Sequence, residues 1–183
     1  MPQDIIAEIA HRLDINGQHR YGLSDVNQIQ HGLQAAWLAE QAADPPSLIA
    51  AALMHDIGHM LHDLGENPAE AGIDDRHEDV GHAFLLVYFG PEVTEPVRLH
   101  VAAKRYLCGK EEDYFAKLSR DSVLSLSLQG GPMSDEEIAA FERLPHWQEA
   151  VRLRRYDEGA KVKGQQTPPL ARFLPHVEQS LRR

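Results

Sequence analysis

A chain of 183 residues, 43% hydrophobic and 25% charged, is long enough for one domain with a sizeable buried core. Its net charge of -10 argues against a nucleic-acid backbone or an anionic membrane as the main partner, while leaving room for a small anionic substrate in a local cationic pocket. The single cysteine, Cys108, excludes an intrachain disulfide and fits a reducing compartment. The opening MPQDIIAEIAHRLD has no basic stretch followed by an apolar core, and AFLLVYF at 83–89 is far too short to span a membrane. The expectation is a cytoplasmic protein, monomeric or weakly self-associating.

Nearly every segment has helical rather than alternating periodicity. Residues 2–14 read as an amphipathic helix with Ile5, Ile6, Ile9 and Leu13 on one side. HRYGLSD at 19–25 reads as a loop, with Ser24 or Asp25 placed to cap a helix from Val26 to about Ala42. Asp44-Pro45-Pro46 is a start signal, a capping aspartate before prolines of the first turn. The helix expected over 46–61 carries LMHDIGHM at 53–60. LHDLGENPAEAGIDD at 61–75 is a loop by its glycines, proline and acids. Helices are predicted at about 76–89, 92–107, 110–128, 134–143, 145–158 and 169–182, with Ser134 and Glu137 forming a capping pattern. There is no internal repeat and no obvious linker, so the whole of 1–183 reads as a single all-α domain.

LMHDIGHM sets a carboxylate in an apolar, alanine-rich run, where burial is unfavourable without a partner. A metal ion is such a partner. In a helix, His55 and His59 share a face and Asp56 points about 100° away, so further ligands must come from other helices. His31, His77, His100 and Asp157 each lie in or beside a predicted helix, where a bundle interior can gather them. Lys104 follows His100 by four residues, and Arg154 precedes Asp157 by three. A metal site flanked by these cations suits an anionic, oxygen-rich substrate such as a phosphate or phosphonate. Taken singly, each of these residues has an ordinary explanation as a solvated or satisfied core side chain. The ordered series His31, His55-Asp56, His77, His100 and Asp157 carries the argument.

That series resembles the extended metal pattern of HD-domain proteins, an all-α superfamily of helical bundles that includes many metal phosphohydrolases. HVAAKRYL at 100–107, LQGGPM at 128–133 and RRYDEGAK at 154–161 narrow the resemblance. With LMHDIGH they are similar to the mixed-valence di-iron oxygenases that cleave the carbon–phosphorus bond of 1-hydroxy-2-aminoethylphosphonates; myo-inositol oxygenase is a more distant relative. The resemblance covers about residues 19–162 and implies a metal-binding core over about 26–158. It implies two irons, Fe(II)/Fe(III), with O2 as co-substrate. Asp56 would bridge them, His31, His55 and Asp157 would complete one, and His77 and His100 would hold the other. Four imidazoles and two carboxylates make a less anionic cluster than a carboxylate-rich one, which suits a mixed-valence resting state.

The same resemblance assigns Tyr21 as a loop tyrosine that occupies the open iron position until substrate displaces it. It places His59, Lys104, Ser122 and Arg154 against the phosphonate oxygens, with Gln129 lining the pocket and Tyr21, His59 and Lys104 closest to the chemistry. Relatives acting on a primary amine carry glutamate three residues after the loop tyrosine, where this chain has Ser24. Losing that acceptor leans the substrate toward 1-hydroxy-2-(trimethylamino)ethylphosphonate, cleaved to phosphate and glycine betaine, ahead of the 2-amino compound, cleaved to phosphate and glycine. The alternatives are a metal-dependent HD phosphohydrolase and an inactive HD domain serving as a ligand-binding module.

Overall fold

The computed structural model describes residues 2–18, 25–61, 64 and 68–182, leaving aside the side chains of residues 2–4. Tyr21 and Ser24 lie outside the described residues. Nine α-helices follow one another among the described residues: α1 (Pro2–Ile15), α2 (Gln28–Gln41), α3 (Pro46–Met54), α4 (His77–Leu85), α5 (Pro91–Lys110), α6 (Arg120–Leu128), α7 (Asp135–Phe141), α8 (Trp147–Gly159) and α9 (Leu174–Gln179). No strand occurs among the described residues; an isolated antiparallel bridge pairs Phe89 with Leu181. The protein is all-α, as its periodicity predicts. No described helix is long and apolar enough to cross a membrane.

α5 lies along α8, and α2 packs on both α3 and α8. The helices meet closely because their facing residues are small. Ala35, Ala36 and Ala39 of α2 and Ala50, Ala51 and Ala52 of α3 are all fully buried. A Cβ on Gly32 would lie 2.7 Å from the Leu53 carbonyl oxygen, so α2 and α3 touch backbone to backbone beside His31 and His55. Around this seam Ile9, Leu13, Leu48, Leu53, Phe89 and Phe173 fill the main core. A second core, under α7 and the far ends of α5 and α8, is built on Tyr106, Leu107, Ile138 and Phe141 with Trp147 against it.

Several expected boundaries move, each for a local reason. The cap of α2 is Asn27, not Ser24 or Asp25: its side chain accepts the Gln30 N–H at 2.8 Å while the Gln30 side chain accepts the Asn27 N–H at 3.0 Å. Asp44 does not cap α3, because the Leu48 N–H is already taken by the Pro45 carbonyl at 2.9 Å. Its carboxylate instead accepts from Arg152 and Tyr156 of α8, both at 2.5 Å. The helix expected over 110–128 is broken at Glu111 and restarts as α6, where Ser119 accepts the Ser122 N–H. The Ser134–Glu137 capping box is present.

The largest departure is at the motif itself. The helix expected over 46–61 ends at Met54; residues 55–56 form a turn and Ile57–Met60 a short 3-10 segment. Gly58 makes this possible. A Cβ there would fall 2.0 Å from the His77 carbonyl oxygen, so the turn rests directly on the first residue of α4.

The α2–α3 seam gives a test. Gly32→Ala forces these helices apart and should cost about 1–3 kcal/mol, with about 2–4 °C of Tm lost per kcal/mol in a chain of this size. Thermal unfolding of the variant beside the wild type measures it.

Candidate metal centre and cleft

The six residues of the sequence series come together. His31 comes from α2, His55 and Asp56 from the turn after α3, His77 from the start of α4, His100 from α5 and Asp157 from α8; all are buried. The Asp56 carboxylate divides between two histidine pairs. Its Oδ2 lies 3.4 Å from His31 Nε2 and 3.5 Å from His55 Nε2, and its Oδ1 lies 3.4 Å from His77 Nε2 and 3.5 Å from His100 Nε2. Asp157 Oδ1 stands 3.3 Å from His31 Nε2.

Backbone carbonyls fix the tautomers. The Nδ1–H groups of His31, His55 and His100 donate to the carbonyls of Ala160 (2.9 Å), Ala52 (2.8 Å) and Val97 (2.6 Å). A carbonyl accepts and never donates, so these rings keep their proton on Nδ1 and turn an Nε2 lone pair inward. His77 Nδ1 donates to Asp75 at 2.9 Å with the same result. The inward nitrogens nearly touch: His31 and His55 are 3.0 Å apart at Nε2, His77 and His100 3.1 Å. Two lone pairs repel at that distance unless a cation or a proton sits between them. Asp56 Oδ2 and Asp157 Oδ1 are buried and accept no hydrogen bond from the described residues. The imidazole and carboxylate donors therefore fit two cations. One group is His31, His55 and Asp157; the other is Asp56, His77 and His100.

Without a cation, the carboxylates gather protons instead. Burial works against charging His31, but Asp157 and Asp56 outweigh it and raise its pKa to about 9. Burial lowers His55 to about 4. Asp56 and Asp157 stay well below the usual carboxylate range despite burial, held there chiefly by His55 and by the Arg154 guanidinium respectively.

Around the six is a ring of polar side chains. His59 is not above His55, as a continuous helix would place it. It stacks on His77, with ring centroids 4.0 Å apart, and its Nδ1 donates to Asp75 Oδ2 at 2.7 Å. Arg154 donates to Asp157 Oδ2, to Glu158 Oε2 and, at 3.0 Å, to Ser122 Oγ. Lys104 donates to Ser125 Oγ at 2.7 Å, and burial, then the nearby Arg154, lowers its pKa to about 7. His59, Lys104, Ser122, Gln129 and Arg154 line one cleft, with Asp56, His77 and His100 in the same wall. Its apolar side is Pro68, Ile73 and Leu128.

Sequence reasoning missed four members of this ring. Gln28 lines the cleft with its side-chain carbonyl unpaired among the described residues. Asp75 joins two histidines. Glu158 accepts from Arg154, from Ser122 Oγ (2.9 Å), from Lys161 (3.0 Å) and from the Ser119 N–H (2.6 Å). Lys161 also donates to Ser122 Oγ at 3.0 Å. The signals were adjacency alone: Asp75 two residues before His77, Glu158 directly after Asp157.

The HD domain pattern matches residues 29–140, more than half the chain. The chain belongs to the HD-domain family. The match takes in every candidate ligand except Asp157. Within the HD-domain family the chain is 46% identical over 181 residues to hydroxymethylphosphonate dioxygenase of Gimesia maris, covering 98% of this chain and 90% of that one. It is 39% identical over 176 residues to 1-hydroxy-2-(trimethylamino)ethylphosphonate dioxygenase (glycine-betaine-forming) of Leisingera caerulea, covering 96% and 90%. The chain groups with these dioxygenases.

The protonation pattern gives a second test. Below the His31 pKa of about 9, a cation must displace its proton. Metal binding near neutral pH should release about one proton, and affinity should weaken about tenfold per unit as the pH falls below that value. Calorimetry in buffers of different ionisation enthalpy counts the proton; an affinity flat between neutrality and pH 9 would contradict the assignment.

Proposed function

We propose that this protein catalyses O2-dependent cleavage of the carbon–phosphorus bond of a small 1-hydroxyalkylphosphonate, with hydroxymethylphosphonate as the leading substrate. The observation that carries the reading is the divided carboxylate of Asp56, one oxygen toward each histidine pair, in a cleft that also holds Lys104 and Arg154. In this reading His31, His55 and Asp157 would hold one iron and His77 and His100 a second, with Asp56 serving both. The pair, resting as Fe(II)/Fe(III), would supply Lewis acidity and the redox chemistry that O2 activation requires.

The protein's own side chains do the rest. Lys104, Arg154 and Ser122 bind the phosphonate oxygens, Arg154 as a cation and Lys104 as one once the phosphonate's charge offsets the burial that lowers its pKa, in a low-dielectric cleft where such bonds are strong. His59, oriented by Asp75, faces the same substrate. The buried carbonyls of Gln28 and Gln129 offer acceptors for the substrate hydroxyl. Pro68, Ile73 and Leu128 give the cleft an apolar side. Tyr21 and Ser24 enter this account through the family resemblance alone. Hydroxymethylphosphonate plus O2 balances as formate plus phosphate.

The relative that shares 46% identity is named for hydroxymethylphosphonate, which favours that substrate. The trimethylamino substrate stays as a second reading because Asp74 and Asp121 also line the cleft and would attract a cation.

Phosphate release by iron-loaded protein tests this, using hydroxymethylphosphonate, each enantiomer of the 2-trimethylamino compound and the 2-amino analogue, with and without O2. The expected result is O2-dependent phosphate, with hydroxymethylphosphonate preferred by about tenfold or more in kcat/KM, about 1.4 kcal/mol in transition-state binding. O2-independent release from nucleotides would mean a hydrolase. Among variants, Asp56→Ala should lose the iron pair, whereas Lys104→Ala should keep it and raise KM by about tenfold or more. Iron content beside steady-state kinetics separates the two.

A further inference from the structure

Asp75 sits in the loop before α4 and touches two histidines with different duties. Its Oδ1 accepts from His77 Nδ1 at 2.9 Å, and its Oδ2 accepts from His59 Nδ1 at 2.7 Å. The two rings lie nearly parallel, 21° apart, with centroids separated by 4.0 Å. The backbone brings them there. Arg76 takes a left-handed conformation (φ 48°, ψ 40°), and the 57–60 turn rests on His77 through Gly58.

A carboxylate oxygen only accepts, so each ring must present a proton at Nδ1. For His77 this leaves the Nε2 lone pair directed at Asp56 Oδ1 and His100. For His59 it fixes the ring in the wall of the cleft. His59, Asp75 and His77 are also close enough to hold a cation of their own. That occupancy would strip the His77 ring at Nδ1 while its Nε2 serves the other group, and the short hydrogen bonds already engage both Nδ1 atoms and both Asp75 oxygens.

We propose that Asp75 is a positioning residue: a single carboxylate that sets the Nδ1–H tautomer of His77 and the orientation of His59 together, linking retention of the second cation to presentation of the substrate-facing imidazole. The inference rests on the two-cation reading above. Asp75 also lines the cleft; the role proposed here is the one it exerts through the two rings.

The test is anaerobic Fe(II) binding by competition with a chromophoric chelator, for wild type, Asp75→Ala and Asp75→Glu. Asp75→Ala should weaken the second Fe(II) about 10–100-fold and leave the first within about twofold, with partial recovery in Asp75→Glu. A merely structural role would weaken both sites together, and that result, or unchanged binding at both, overturns the proposal. Histidine 15N shifts of the zinc-loaded wild type give an answer that needs no variant to fold. His77 and His59 should both carry their proton on Nδ1, and an Nε2–H form of His77 overturns the proposal. Failure of the wild type to bind a second cation would instead overturn the two-cation reading, and this inference with it.

Discussion

Everything near the centre of this protein answers to the repulsion among four imidazole lone pairs aimed at one buried carboxylate. Carbonyls of Ala52, Val97 and Ala160, and the carboxylate of Asp75, tie up the outer nitrogens. The inner nitrogens are then left as acceptors, 3.0–3.1 Å apart within each pair. Without a cation, the arrangement holds a proton on His31 beside Asp56 and Asp157. Buried charge without a counter-charge is costly, so the middle of the bundle calls for positive charge, as a proton or as a cation. The centre is preorganised for cations because its hydrogen bonds are all made on the outside.

Close packing holds that demand in place. Alanines and Gly32 let α2 and α3 meet backbone to backbone, which sets His31 against His55. The break after Met54 turns Asp56 out of the helical path, so that one carboxylate reaches histidines from four segments. Gly58 lets the turn lie on α4, which brings His77 in. A straight helix through the motif would have carried Asp56 and His59 in fixed directions about 100° per residue apart and could not have divided Asp56 between two pairs.

Electrostatics turns an acidic protein into one with a site for an anion. Arg154, Lys104 and Lys161 cluster beside the centre, balanced by Asp157 and Glu158. Arg154 does two things at once: it steadies Asp157 through one nitrogen and lines the cleft through its position on α8. The net charge of -10 is carried by the remaining surface and says nothing of this interior.

The sequence by itself determined the helical class, through a 3.6-residue period in nearly every segment, and it determined which six side chains would gather, through the ordered His and Asp series. Residue chemistry offered the candidates, and the order of the series with its family resemblance chose them from among eleven histidines. Spacing marked Lys104 and Arg154, and the resemblance added Ser122 and Gln129; all four line the cleft. What tertiary structure decided was direction. Whether Asp56 faces one pair or two depends on where α3 stops, and that depends on contact between Gly58 and His77, remote in sequence. Asp75, Glu158 and Gln28 were illegible because an acid or amide in a polar stretch looks like any other surface group. Their roles exist only once folding brings a histidine, an arginine or a cleft within hydrogen-bond reach.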